Sequence, residues 1–380
     1  MGLRSRLVGT GFAVVAVCGI GAAQTGNTLT LKQAQALAIK NHPQIGAANF
    51  SAMAASQLVR EQKSVYLPTA VGAMTGAEAE TGTRIAAGGF NNPSILARYA
   101  DGVLVSQFIT DFGRTGKLVQ SSELGAEAAT RNINATRADV LVGVDEAYFG
   151  ALRAQAVLKV AQETVAQRQD VLDQVTAMEK AGLKSGLDVS FARVNLAQAK
   201  LLLLQSENDV NAQFARLSTA LGNHDLRKFD LVDEPAPTPL PSTVESLIGQ
   251  AELDRPDLQS LKLYRDSAYQ FAEAEKDLWR PTISSVGAAG VVPFHVTGLQ
   301  DTYAAAAFNV TIPIFNGHLF SARRAEAEYK AQAQDQRVKA LENDVSRDVR
   351  VAFLNASTAY QNLGVTQQLL DESTQAMDLA

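Results

Sequence analysis

Few residues of this sequence have the types and spacing that chemistry requires. Asp111-Phe112-Gly113 has the letters of a kinase motif, but no glycine-rich loop or catalytic-loop signature accompanies it, so we interpret it as a strand-to-helix turn. The histidines show no metal-site spacing, and the one beside Pro43 is interpreted as structural. They are His42, His224, His295 and His318. With no nucleophile elbow, phosphate loop or paired carboxylates, we predict no enzyme, no cofactor and no metal.

The charge balance excludes one class of partner. The formal net charge is -5 at pH 7, and it becomes -7 if Arg4 and Arg6 leave with a signal peptide. Because no basic patch offsets this acidity, the sequence predicts no nucleic-acid partner.

The first 23 residues have the pattern of a signal peptide. Arg4 and Arg6 precede an apolar run, and Gly21-Ala22-Ala23 offers small residues for cleavage, so residues 1–23 are predicted to direct export. Cys18 is the only cysteine. It is interpreted as an apolar residue of this signal, with lipid attachment as the alternative that the bulky Val17 disfavours. No later segment has about 20 consecutive apolar residues, as a transmembrane helix requires.

The elements that position any site are unusually long helices. Arg114 to Ala181 contains no proline and would span roughly 100 Å as a helix. After the break Gly182 to Leu187, a heptad pattern predicts a returning helix that packs against a neighbouring helix. Its positions are Val189, Ala192, Leu196, Ala199, Leu203, Ser206, Val210, Gln213, Leu217 and Ala220.

Four strand-like segments accompany these helices. Thr69 to Ala79 and Ala97 to Phe108 flank a loop rich in glycine and asparagine, and Thr282 to Val291 precedes the clearest alternation in the chain. In that alternation Phe308, Val310, Ile312 and Ile314 share one side, opposite Asn309 and Thr311. One face for lipid and one for water explains this pattern, and a sheet in a soluble domain explains it equally well.

The second half of the chain repeats the order of the first. His42-Pro43 matches Arg255-Pro256 at an offset of 213 positions, and Asp139 to Tyr148 matches Asp344 to Phe353 at an offset of 205. The predicted organisation is a signal peptide (1–23), a first repeat of a helix, two strands and a long helical hairpin (24–222), a Pro-rich linker with a short helix (223–254) and a second repeat (255–380).

The repeat also predicts an incomplete second hairpin. An offset of 205 places the counterpart of Gly182 at position 387, beyond Ala380. We therefore expect a C-terminally truncated chain whose second repeat lacks its return helix.

Several short motifs, in this order and with the internal repeat, resemble the outer-membrane efflux protein family, the TolC-like outer membrane factors. They are Asn41-His42-Pro43, Val105-Ser106-Gln107 leading to Asp111-Phe112-Gly113-Arg114, Ala147-Tyr148, Ala181 to Val189, Leu221-Gly222, Arg255 to Leu258, and Ile312-Pro313-Ile314-Phe315-Asn316-Gly317. The resemblance covers nearly the whole mature chain.

The resemblance implies a mixed α and β fold and a passive outer-membrane exit duct. Family members are trimers in which each chain gives four β-strands to one shared twelve-stranded barrel and long antiparallel helical hairpins to a periplasmic tunnel. The implied location is the outer membrane of a Gram-negative cell, extending into the periplasm. The implied partners are two further copies, a periplasmic adaptor (membrane fusion) protein, an inner-membrane efflux or type I secretion transporter, and outer-membrane lipid.

The resemblance also implies which residues matter. The turn of the first hairpin corresponds to the tunnel's periplasmic gate and to the adaptor contact, with residues Gly182, Leu183, Lys184, Ser185, Gly186 and Asp188. Asp188 is equally well interpreted as a solvated acid near a helix N-terminus. The junctions between strands and helices carry Tyr66, Pro68, Gly113, Trp279, Pro281, Pro313 and Gly317. For Tyr66 and Trp279 an interfacial role competes with ordinary packing.

Two other readings of the whole chain stay open. One is an exported periplasmic coiled-coil interaction or adaptor protein without a pore. The other is a nonfunctional truncated duct.

Overall fold

A computed structural model describes residues 28–78, 86–87, 90–91, 98–235, 237–239, 241, 243–295 and 300–379. The predicted signal peptide with Cys18, and most of the glycine- and asparagine-rich loop between the first two strands, lie outside these residues. Ala79, the last residue of the first predicted strand, and Ala97, the first residue of the second, also lie outside the described residues.

The described residues form seven α-helices and eight strands. The helices are α1 (Leu31–Asn41), α2 (Pro43–Ser64), α3 (Arg114–Lys180), α4 (Gly186–Ala220), α5 (Glu245–Asp254), α6 (Pro256–Lys276) and α7 (Leu319–Asp378). The strands are β1 (Thr28–Leu29), β2 (Thr69–Ala77), β3 (Ala86–Ala87), β4 (Phe90–Asn91), β5 (Arg98–Thr110), β6 (Asp230–Leu231), β7 (Thr282–His295) and β8 (Thr302–Thr311). α3 is 67 residues long, which confirms the predicted long helix.

The chain divides into two compact units. The first contains the described residues up to Ala34 together with Ala147–Thr219 and His224–Glu234. The second contains Gln35–Glu146, Ala220–Asn223 and the described residues from Pro235 onward.

In the first unit a buried tyrosine holds a small parallel sheet. β1 pairs with β6, and the fully buried Tyr148 lies beside them. Its hydroxyl oxygen is 2.8 Å from the carbonyl oxygen of Leu29 and 2.7 Å from that of Val232, and it accepts a hydrogen bond from the Val232 N–H at 3.1 Å. Burial raises the pKa of Tyr148, so the hydroxyl keeps the proton that it shares between these carbonyls.

The heptad pattern of α4 is confirmed at seven positions, including Ser206, Val210 and Leu217 in its second half, and differs by one residue at Gln213. Val189, Ala192, Leu196 and Ala199 are buried, but near the C-terminal end Phe214 is buried where the pattern predicted Gln213. An α-helix has 3.6 residues per turn, so its buried face drifts by about 20° per heptad relative to a strict repeat of seven. Because of this drift, Phe214 lies on the buried face and Gln213 is only half-buried.

The second unit is built on a four-stranded antiparallel sheet in the order β2-β5-β7-β8. Each strand adjoins one helix in sequence: α2 leads into β2, β5 into α3, α6 into β7 and β8 into α7. Side-chain contacts join α2 to α3, α3 to α6 and α6 to α7, as in the pairs Lys63–Glu123, Ser121–Ser267 and Lys262–Glu342. The helices therefore follow the same lateral order as the strands.

The register shows which residues of β5 share a face with Phe308 and Val310 of the predicted alternation. Val105 lies opposite Gly287, which lies opposite Ala306, so Val103, Val105 and Phe308 share that face. The prediction is wrong for the end of the alternation, because β8 ends at Thr311 and both Ile312 and Ile314 follow it. Pro313 lies between them and has no N–H to continue a ladder.

Two glycines allow the central strands to approach under an aromatic ring. Gly102 of β5 pairs with Gly290 of β7, and Tyr303 of β8 follows in the same row. A Cβ atom on Gly290 would lie 2.7 Å from the Cα atom of Gly102 and 2.7 Å from a ring carbon of Tyr303. This row has no room for a larger residue at either glycine.

We expect Gly290→Ala to destabilise the sheet by about 1–3 kcal/mol, the usual cost of overpacking. Gly287→Ala is the matched control, because its Cβ atom would meet only a carbonyl oxygen at 4.0 Å. Denaturant unfolding in detergent, followed by the fluorescence of the single tryptophan, Trp279, measures both. Equal stability of the two variants would contradict the close approach.

Candidate functional site

The hairpin between α3 and α4 is closed by backbone hydrogen bonds around Gly182. The N–H of Gly182 donates to the carbonyl of Glu179 at 2.9 Å, and that of Leu183 donates to Met178 at 2.9 Å. These two bonds form a Schellman motif, which requires a left-handed residue at its C′ position. Gly182 fills that position with φ of 76°.

The return helix starts with a reciprocal capping box. The Asp188 carboxylate accepts hydrogen bonds from the Ser185 N–H at 2.9 Å and from the Ser185 hydroxyl at 2.8 Å, while the Asp188 N–H donates back to that hydroxyl at 3.3 Å. The backbone bond from Ser185, its hydroxyl and then Lys184 hold the pKa of Asp188 below its ordinary value. Asp188 therefore has a local structural role at the N-terminus of α4.

The same turn exposes apolar side chains. Leu183, which precedes the capping box, is 75% exposed, and Leu187, which lies within it, is 65% exposed. The predicted gate residues thus lie together in one short turn whose backbone is fixed by Gly182 and Asp188.

The two turns that lead from a strand into a long helix share an unusual backbone. Phe112 and Gly113 have positive φ values of 58° and 105°, and Gly317 and His318 have values of 60° and 69°. Both pairs directly precede their helices, at an offset of 205 positions. A non-glycine residue in this conformation is uncommon and needs support from its surroundings. Arg280 gives that support to the first turn by donating to the Phe112 carbonyl.

The predicted junction aromatics each contact a phenylalanine. Tyr66 meets Phe108 edge-on with ring centroids 6.0 Å apart, and Trp279 meets Phe320 at 5.3 Å. Both Tyr66 and Trp279 are 46% exposed, so each ring packs on one side and faces outward on the other.

The remaining predicted junction residues lie directly beside the strands. Pro68 precedes β2 and Pro281 precedes β7, so neither removes a donor from the sheet ladder. Pro313 follows the last residue of β8 by two positions.

Two buried acids and three basic side chains form a group at these junctions that was not predicted from the sequence, and we call it the junction cluster: Arg114, Lys117, Glu275, Asp277 and Arg323. Glu275 is 2% exposed and pairs with Arg114 at 3.1 Å and with Arg323 at 2.8 Å. Asp277 is 5% exposed and pairs with Lys117 at 2.8 Å. The cluster connects the first turn of α3 and the second turn of α7 to the last turn of α6 and the residue after it.

A signal for this cluster was present in the sequence. Helix C-termini favour cations and helix N-termini favour anions. Glu275 nevertheless lies in the last turn of α6, and Arg114 is the first residue of α3. Charges that oppose the helix dipole at both kinds of end are compensated by pairing with each other.

The described residues contain neither a metal site nor a membrane-crossing helix. Within the described ranges no three histidine, cysteine or acidic side chains are grouped to hold a metal ion. None of the helices in that part of the chain is long and apolar enough to cross a membrane.

We expect the stability of the hairpin turn to depend on pH through Asp188. Because the folded state lowers this pKa, the unfolded chain binds the proton more readily. The carboxylate's stabilisation is therefore complete above its ordinary pKa of 3.8 and is lost as the pH falls through the lower folded-state pKa. Amide exchange at Ser185 to Val189, corrected for intrinsic rates, should rise on acidification to about pH 2.

Two variants test whether Asp188 is the acid that causes this rise in amide exchange. In Asp188→Asn the acid-dependent rise should disappear, because no carboxylate remains to be protonated. In Asp173→Asn, which changes an exposed acid inside α3, the turn should exchange as in the parent chain. A rise in Asp188→Asn equal to that of the parent would contradict the capping role.

We expect Glu275→Gln to destabilise the second unit by about 1–3 kcal/mol, because it leaves two arginines facing each other without their anion. The control is Glu326→Gln, which removes only an exposed pair with Lys330 and should change stability little. Denaturant midpoints compare the two, and a Glu275→Gln midpoint as high as that of Glu326→Gln would contradict the importance of the cluster.

Comparison with known proteins agrees with this architecture. A sequence profile of the family described as "Outer membrane efflux protein" matches residues 35–223 and 247–380. The chain is 22% identical over 254 residues to the outer membrane protein TolC of Escherichia coli, covering 63% of this chain and 51% of TolC. It is 26% identical over 338 residues to the solvent efflux pump outer membrane protein SrpC of Pseudomonas putida, covering 85% of this chain and 69% of SrpC. The chain thus spans about half the length of TolC.

A solved structure shares the fold. The outer membrane protein VceC of Vibrio cholerae superposes with a TM-score of 0.75 over 92% of this chain and 84% of VceC, at 16% identity. This likeness confirms the predicted combination of long helices with a few strands. Because the family profile matches both halves of the chain, the protein belongs to the outer membrane efflux protein family, whose members lie in the outer membrane.

Proposed function

We propose that this chain is one subunit of a passive, trimeric exit duct of a tripartite efflux or type I secretion system. In this proposal the four strands belong to a shared twelve-stranded barrel, and the long helices form a tunnel that reaches into the periplasm. The chain performs no chemistry itself, and an inner-membrane transporter drives the flow through a periplasmic adaptor.

The observation that carries the proposal is the open four-stranded sheet with a helix attached to every strand in the same lateral order. An open sheet leaves unpaired backbone groups along β2 and β8, which a bilayer does not tolerate. Four strands are too few to close, since membrane barrels start at about eight strands. Three copies would pair each β8 with the β2 of the next copy and close at twelve.

Exposed apolar side chains on the sheet support a lipid-facing role. Phe308 is 80% exposed, Val310 is 54% exposed and Val103 is 51% exposed. Phe308 and Val103 lie on the same face by register, which we propose to be the face toward lipid. The interfacial role of Tyr66 and Trp279 at the sheet's end belongs to this proposal.

The gate and the domain organisation remain part of the proposal. We assign the closed periplasmic tip to the turn from Gly182 to Asp188, with Leu183, Lys184 and Ser185 contacting the adaptor. The local bonds of Asp188 all use one carboxylate oxygen, Oδ2, so the other can accept a bond from a second hairpin. The matching left-handed turns before α3 and α7 support the twofold repeat, which we propose to run over 24–222 and 255–380.

The membrane location of the sheet can be tested with two neighbouring residues. Phe308→Lys places a charge on the proposed lipid face, where it costs about 2–4 kcal/mol at the bilayer centre. Asn309→Lys, one position away on the opposite face, should be tolerated. We expect the parent chain and Asn309→Lys to remain in the sarkosyl-resistant outer-membrane fraction as trimers, and Phe308→Lys to be lost from it.

The alternative of a periplasmic adaptor without a pore predicts a different result. In that case the parent chain would fractionate as a soluble periplasmic protein, and neither lysine would change its location. That outcome would overturn the duct proposal.

A further inference from the structure

α6 lies between α3 and α7 in a single layer of helices. On one side Ser260 donates to the Ala128 carbonyl of α3 at 2.8 Å, and Ser267 donates to that of Ser121 at 2.7 Å. On the other side Lys262 pairs with Glu342 of α7 at 3.1 Å. At about 100° per residue, 260 and 267 lie opposite 262 on α6. The layer therefore has two remaining faces, which differ in composition.

One face of α6 is aromatic and the other is polar. Tyr264, Ala268, Phe271 and Glu275 follow each other at spacings of four, three and four residues, so they form one stripe. We call it the tethered face. The opposite stripe is polar and consists of Gln259, Asp266, Gln270 and Glu273.

Glu275 ties both neighbouring helices to the tethered face. Its carboxylate reaches Arg114 of α3 at 3.1 Å and Arg323 of α7 at 2.8 Å. On the opposite face Lys117 of α3 pairs with Glu273 and Asp277, while Arg255, just before α6, lies 3.9 Å from Asp348 of α7, so no single residue there pairs with both neighbours. One carboxylate that holds both outer helices draws them toward the tethered face, which favours a concave shape on that side.

A cleft of about 480 Å³ lies on the tethered face, where a concave layer would place it. All three helices contribute to it. Its lining includes Ser121 of α3, Tyr264 and Phe271 of α6, and Lys330, Gln334 and Arg337 of α7.

We infer that the tethered face is the inner wall of the duct and that Glu275 is a positioning residue that sets its curvature. The inference rests on the proposed function, because the concave face of a closed ring of helices looks toward the ring's axis. A passing solute then meets the rings of Tyr264 and Phe271 and the cations of Lys330 and Arg337, while the stripe with Asp266 faces outward.

A pair of single-cysteine variants tests which face lines the duct. Tyr264→Cys and Asp266→Cys, each in a Cys18→Ser background, replace residues of similar exposure, 42% for Tyr264 and 46% for the Asp266 side chain. The two positions are about 200° apart around α6. After complete labelling with a bulky sulfonated thiol reagent, the purified protein is placed in planar bilayers and its single-channel conductance is measured.

We expect the label to lower conductance in Tyr264→Cys and to leave Asp266→Cys unchanged. Equal effects, or block at Asp266→Cys alone, would overturn the assignment of the inner wall. If the unlabelled chain makes no pores, the proposed function is overturned and this inference falls with it. If the unlabelled chain makes pores but the labels act equally, only this inference is overturned.

A second conductance measurement tests the positioning role of Glu275. In unlabelled, assembled protein, Glu275→Gln should shift the conductance because the curvature of the layer relaxes, and Glu326→Gln on the surface of α7 should not. An unchanged conductance in assembled Glu275→Gln would show that the cluster contributes stability without setting the bore.

Discussion

One buried carboxylate joins three helices beside the sheet of the second unit. Glu275 lies at the end of α6, just before β7 begins, and holds Arg114 and Arg323 at the starts of two other helices. A chain so rich in alanine buries little side-chain volume per helix contact, so the hydrophobic effect alone fixes helix positions loosely. Directional ion pairs at the point where strand becomes helix supply the lateral precision that small side chains cannot.

Much of the architecture could be predicted because its signals are local. Pro43 separates α1 from α2, and Gly182 ends α3 in a left-handed residue, as glycine at a helix end suggests. The Asp111-Phe112-Gly113 triplet is a turn between a strand and a helix, as interpreted, and Asp111 accepts hydrogen bonds from Thr115 in the first turn of α3. In each case the residues that determine the structure are neighbours in sequence.

The features that sequence reasoning missed depend on distant partners or on small geometric drift. Glu275 and Arg114 are 161 positions apart, and no local pattern specifies their pairing. Leu29 pairs with Leu231 in a two-residue sheet that is too short for any periodicity, and a tyrosine hydroxyl far along the chain holds it. Gln213 was predicted to be buried in place of Phe214 because a period of 3.5 residues was applied to a helix with 3.6 residues per turn. The capping role of Asp188 was accessible, since Ser185 precedes it by three residues.

The two left-handed turns have a consequence for comparing the halves of the chain. In the first turn the glycine is the second left-handed residue, Gly113, and in the second turn it is the first, Gly317. Matching glycine to glycine therefore gives an offset of 204, whereas the backbone and the helix starts at Arg114 and Leu319 give 205. An alignment guided by the glycines would rotate every residue of α7 by about 100° relative to α3. Inward-facing and outward-facing positions of the two helices would then be compared with the wrong counterparts.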